Sequence, residues 1–119
     1  MKLDQRHVSP DGELVLLVYH DPKDNDWIVG FEGSEWHTHG DVLAPTFGTT
    51  DEAAVDGFVN AVLEDRLVIG AIPIEGRDQL YITKTPEDDV AAQKSGLLRL
   101  RYWSGREYDG QQKLNMYKS

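Results

Sequence analysis

The chain contains no cysteine, and that alone excludes disulfide staples, thiolate nucleophiles and cysteine-based zinc sites. It has no apolar run approaching the roughly 18 residues of a spanning helix and no charged-then-apolar leader, so the expectation is a cytoplasmic protein with no membrane contact. Glycine-rich phosphate loops are missing, because the glycines stand singly among turns, and no serine occupies a strand-to-helix elbow. Cations are scarce where acids are dense. Residues 1 to 65 carry 14 Asp and Glu against only Lys2, Arg6 and Lys23, whereas residues 66 to 119 carry seven acids against nine bases, and the whole chain has a net charge of −9. Such a field repels nucleic-acid phosphates and draws in basic partners, so nucleic acid is not an expected partner.

What is present is organised around Thr49 to Ile74. Thr49 with Glu52 three residues on has the form of a capping box, and Asp51 adds negative charge in the first turn, where the helix dipole favours it. Val55, Phe58, Val59 and Val62 then share one face while Glu52, Asp56, Asn60 and Glu64 share another. The spacing predicts an amphipathic helix over Thr50 to Asp65, with Gly57 marking a close approach, expected from the next strand. Leu67 to Ile72 follows as a segment apolar on both sides, which suits an interior strand. Glu75 to Asp78 is a turn, and Leu80, Tyr81 and Ile82 resume a strand, so a hairpin is expected.

The rest of the chain is read against that pair. Met1 to Pro10 is expected to be ragged, ending in the turn Ser9-Pro10-Asp11-Gly12. Glu13 to His20 is a strand that reads as apolar on both faces, and with Trp27 to Glu32 it forms an antiparallel pair across the polar loop Asp21 to Asp26. Thr85 as cap and Pro86 at the first position start a second, short helix ending at Ser95 before Gly96. Leu97 to Trp103 is a strand with Leu98, Leu100 and Tyr102 inward and Arg99 and Arg101 outward. Ser104 to Ser119 is expected to fray or to add a last edge strand through Leu114, Met116 and Tyr117. The order β-β-α-β-β-α-β predicts a single α+β domain: a mostly antiparallel sheet of about five strands with one main amphipathic helix on a face.

The segment Glu35 to Asp41 (EWHTHGD) is the candidate site. If extended, it projects Glu35, His37, His39 and Asp41 from one face and Trp36 and Thr38 from the other. One reading is chemical: His37, His39 and Asp41 as ligands of one divalent metal such as zinc, in a metal-dependent hydrolase. The His37-x-His39 pair resembles the opening of the zinc isopeptidase motif of JAB-type domains, but Phe47 stands at that motif's serine position and Thr50 at its aspartate. Cupins also use His-x-His followed by Glu, where this chain has Leu43 and Ala44.

The preferred reading is non-catalytic and cofactor-free. Trp36 stands among polar residues as either a lid or an exposed anchor, and aromatic anchors with a charged surround are what interfaces favour. Trp36, Glu35, His37, His39 and Asp41, with Asp24 and Asp26 in the neighbouring loop, are then the contact residues for a basic protein partner. In size, charge and absence of catalytic motifs the chain is similar to immunity-type inhibitors of toxins or nucleases, which place carboxylates where a phosphate substrate would sit. The oligomeric state is not legible.

Overall fold

The computed structural model describes residues 1–84 and 86–108 of the chain. The elements in order are β1 (Lys2–Val8), β2 (Val15–Asp21), β3 (Asp26–Phe31), β4 (His37–His39), α1 (Gly40–Leu43), α2 (Asp51–Leu63), β5 (Val68–Ile74), β6 (Arg77–Thr83), α3 (Pro86–Lys94) and β7 (Arg99–Arg101). The α+β class and the antiparallel pairing agree with the sequence reading. The arrangement differs from the expected single five-stranded sheet. There are two sheets, one four-stranded in the order β1-β2-β3-β4 and one three-stranded in the order β6-β5-β7.

The additional strands are β1 and β4. The first ten residues are ordered rather than ragged: β1 pairs along β2 from Lys2↔His20 to Val8↔Val15, with an irregularity between Leu3 and Gln5. The turn that joins them is fixed by Ser9, whose hydroxyl donates to Asp11 at 2.6 Å and accepts from the Leu14 amide at 3.0 Å. That hydrogen bond holds the Asp11 carboxyl below the usual carboxylate range; partial burial opposes it, while the Glu13 amide and Arg101 add to it.

The main helix forms for the reasons its sequence supplies, offset by one residue at its start. Thr50, not Thr49, is the cap, and its hydroxyl accepts from the Ala53 amide at 3.1 Å, so Glu52 does not close a capping box. Val55, Phe58, Val59 and Val62 are all buried, while Glu52, Asp56, Asn60 and Glu64 are exposed. Gly57 does admit a close neighbour, but that neighbour is the Phe47 carbonyl of the preceding connector, not a strand. Asp65, with φ of 61°, ends the helix, and its carboxylate accepts from both the amide and the hydroxyl of Ser104.

One large apolar cluster draws on Leu14, Leu16, Val18, Trp27, Val29 and Phe31 from the four-stranded sheet and its approach, the buried face of α2, and Ile69, Ala71, Leu80 and Ile82 from the other sheet. A second, smaller cluster of Val68, Leu98, Leu100 and Tyr108 lies on the far side of the three-stranded sheet, with Val90 and Ala92 of α3 against it. The interior strand read at Leu67 to Ile72 is therefore central, between β6 and β7, and covered on both sides. The hairpin with β6 turns through Glu75 and Gly76, both at positive φ, the backbone that a two-residue connection matching strand twist requires. Asp89 of α3 accepts from the Tyr81 hydroxyl at 3.2 Å and from Thr83 at 2.7 Å, tying the helix to the sheet. Burial raises the Tyr81 phenol above its ordinary value, and the nearby Asp89 carboxylate adds to the rise.

Two further expectations change. Arg101 does not face out: it is buried at the seam between the sheets, with Nη2 2.8 Å from Asp11 and Nη1 2.9 Å from Glu13. A strand that alternates correctly can still bury a cation where carboxylates from another element meet it. β2, which reads as apolar on both faces, is fully buried on only one, since Val15, Leu17 and Tyr19 are only partly buried. Ser104 to Tyr108 packs back on the fold, with Tyr108 buried and an isolated bridge between Arg101 and Glu107. The last-strand reading at Leu114, Met116 and Tyr117, and the capping role of Thr85, lie outside the described residues.

Candidate functional site

The two faces of the four-stranded sheet are set by strand alternation. Leu16, Val18, Trp27, Val29 and Phe31 point into the main cluster. The opposite, outward face carries Leu3 and Val8 of β1, Val15, Leu17 and Tyr19 of β2, and Ile28 of β3. Leu3 and Val8 are about half exposed, at 51% and 49%. The other four are of intermediate exposure, and none of the six belongs to either apolar cluster or its margin.

His37 and His39 extend this outward face, because β4 pairs with β3 through Gly30↔His37 and Ile28↔His39. Their rings meet edge to face with centroids 5.1 Å apart. His39 Nδ1 lies 3.3 Å from the Asp26 carboxylate, both side chains being more than a third exposed, and His37 Nδ1 is 3.1 Å from the Glu35 carbonyl oxygen. A groove of about 440 Å³ opens beside them, lined by Leu17, Tyr19, Ile28, Glu35 and His37 among others. Asp26 can orient the His39 ring through this contact. Ser34, the hydroxyl nearest to His37 in sequence, is engaged elsewhere, accepting from the Leu80 amide at 2.9 Å.

The sequence-derived residues divide between locations. Glu35, His37, His39 and Asp26 lie together on the outward face. Asp24 sits in the exposed turn between β2 and β3, near Asp21 and Asp26. Asp41 does not continue the strand alternation, because the chain turns into α1 at Gly40; Asp41 is exposed in that helix's first turn. A side chain at Gly40 would press on Asp51 and Trp27, so this short helix is held against the start of α2. Among the described residues no group of three His, Cys, Asp or Glu side chains is placed to hold a metal ion.

Trp36 turns the opposite way from its neighbours. It is half-buried, packs against the main cluster and sits 6.1 Å from Phe31, ring centroid to ring centroid. Of the two roles open to it in the sequence, it takes that of a lid. The side chains that sequence reasoning missed are Leu17, Tyr19 and Ile28. Their apolarity was visible, but it read as a demand for cover that the fold leaves unmet.

Arg99, Arg101 and Arg106 are each engaged: Arg99 with Asp78 at 2.7 Å, Arg101 with Asp11 and Glu13, and Arg106 over the Tyr102 ring at 4.3 Å. They serve the protein's own acids and aromatics. No described helix is long and apolar enough to cross a membrane. Compared with known proteins, the chain matches no family model, and no curated sequence or solved structure shows significant similarity to it.

Proposed function

We propose that the chain is a small non-catalytic binding module that captures a basic protein on the outward face of its four-stranded sheet, in the manner of an immunity-type inhibitor. The observation that carries this reading is the apolar stripe of Leu17, Tyr19 and Ile28, which no described element covers. Acids lie beside it, Asp21, Asp24 and Asp26 at the turn and Glu35 at the groove, while Asp41 stands apart in α1. An apolar centre with a charged surround matches the way interfaces divide affinity and specificity, since the centre is desolvated and the rim selects the partner. Carboxylates in an acidic field accelerate encounter with a cationic mate. His37 and His39 add polar tips at the edge of the same surface.

The test is affinity capture on immobilised protein, followed by titration of the captured partner. The expected result is one basic protein, retained stoichiometrically, whose affinity falls with added salt and with Asp24→Asn/Asp26→Asn, and is lost with Leu17→Glu. Absence of a saturable partner, or capture indifferent to salt and to both substitutions, overturns the reading.

A further inference from the structure

A second groove, of about 530 Å³, lies on the inner side of Trp36, where α1, the connector to α2, α2 itself and β6 converge. Trp36 lines both this groove and the outward one, and the inner groove differs in having Arg66 and Lys84 in its lining. Its apolar wall includes Trp36, Leu43, Phe47, Phe58, Leu67 and Ile82. Phe47 and Phe58 stand edge to face, with ring centroids 5.3 Å apart. Polar groups are few. Thr38 and Thr46 are polar members of the lining, the Thr83 hydroxyl being engaged with Asp89 of α3, and the charged residues in the lining are Arg66, Lys84 and Glu87.

Two cations against one acid is a reversal in a chain whose net charge is −9. Lys84 is exposed and makes no ion pair among the described residues. Arg66 pairs with Glu64 at 2.9 Å, but both side chains are more than half exposed, and such a pair is held too weakly to keep Arg66 from a ligand. The volume falls within the roughly 300–1,000 Å³ typical of small-molecule sites, which are concave, mainly apolar and oriented by a few polar groups.

We infer that this groove binds a small amphipathic monocarboxylate, with its apolar body against Trp36, Phe47 and Phe58 and its carboxylate at the mouth beside Lys84 and Arg66. A neutral amphiphile gains the wall but not the charges, and a cationic one meets them with the wrong sign. This inference is independent of the protein-binding proposal, because it uses the inner side of β4 and none of Leu17, Tyr19 and Ile28.

The experiment is titration of the full chain with decanoate, decanol and decylammonium, read by calorimetry and by the Trp36 indole N–H resonance, assigned with Trp36→Phe. Decanoate is expected to bind one to one and to shift that resonance. Arg66→Met/Lys84→Met is expected to weaken decanoate about tenfold while leaving decanol within about twofold, as two partly solvated ion pairs would require. Leu17→Glu, on the far face of the sheet, leaves decanoate binding unchanged. The inference is overturned if decylammonium binds as tightly as decanoate, if the double variant retains decanoate fully, or if binding leaves the Trp36 resonance unmoved. It also fails if Leu17→Glu abolishes decanoate binding, which would move the site to the outward face, or if no decanoate binds.

Discussion

β2 and β5 read almost alike in sequence and end in different surroundings. Both alternate apolar residues with apolar residues, and both lie inside their sheets. β5 is covered twice, by the main cluster through Ile69 and Ala71 and by the α3 side through Val68. β2 is covered once: Leu16 and Val18 are fully buried, whereas Leu17 and Tyr19 on the other side are not. Apolar pattern therefore predicts the need for cover, while topology decides which strand receives it. The strand left short is the one that the proposed partner would cover.

The largest test of this contrast sets Leu16→Ala beside Leu17→Ala. Removing Leu16 should cost about 2–5 kcal/mol, as for a leucine truncated in a packed core. The same change at Leu17 should cost under about 1 kcal/mol, as at a surface position. Equal losses in denaturant unfolding would mean that the outward face is covered after all. Arg101→Met addresses the seam between the two sheets, and should destabilise by about 2–3 kcal/mol. That is less than the roughly 3–5 kcal/mol of a wholly buried pair, because Glu13 remains largely solvated; a double-mutant cycle with Asp11→Asn would measure the coupling. At the start of the helix that packs between the covered faces, Thr50→Ala should lose about 1 kcal/mol and Thr49→Ala almost nothing, since only the Thr50 hydroxyl reaches an orphan amide. Reversal of that order in thermal melts would restore the capping box at Thr49.

The smallest effect is one of pH. Because the folded Asp11 carboxyl sits below its ordinary value of 3.8, its contribution to stability is complete above that value. It is lost as pH falls through the lower folded one, where the native carboxylate finally takes up a proton. Melting temperature followed from pH 5 down to pH 2, a range of about three units around the ordinary carboxylate value, should fall less steeply in Asp11→Asn than in the native chain. Parallel curves would remove Asp11 from the acid sensitivity.

The parts of the fold legible in the sequence are those in which burial and local pattern coincide. α2 shows a full apolar face and a full polar one, and β5 shows an unbroken apolar run, so each could be placed from its own residues. β1 left no such trace. Its side chains are mostly exposed, and backbone pairing to β2 defines it, which composition does not report. β4 and α1, at three and four residues, are too short for any period to emerge. The division into two sheets depends on which strands pair, a long-range choice that alternation leaves open. At the candidate site, the contrast between Trp36 and the two histidines was legible because alternation assigns it. The exposure of Leu17 and Ile28 was not, because it results from the absence of a covering element rather than from any property of the residues themselves.

β4 is held by only three pairings with β3, yet those pairings decide what the protein shows to the outside. A slide of one position would throw Trp36 into water and drive His37 and His39 toward the apolar interior, exchanging the two sides of the strand in a single movement. Gly30 makes room for the present register: a methyl group there would come within 3.0 Å of the Trp36 carbonyl oxygen and 3.4 Å of the His37 Cβ. The lack of a side chain at Gly30 thus lets β4 lie this close with the imidazoles outside, and Gly30→Ala would disturb the surface while leaving the residues that compose it unchanged.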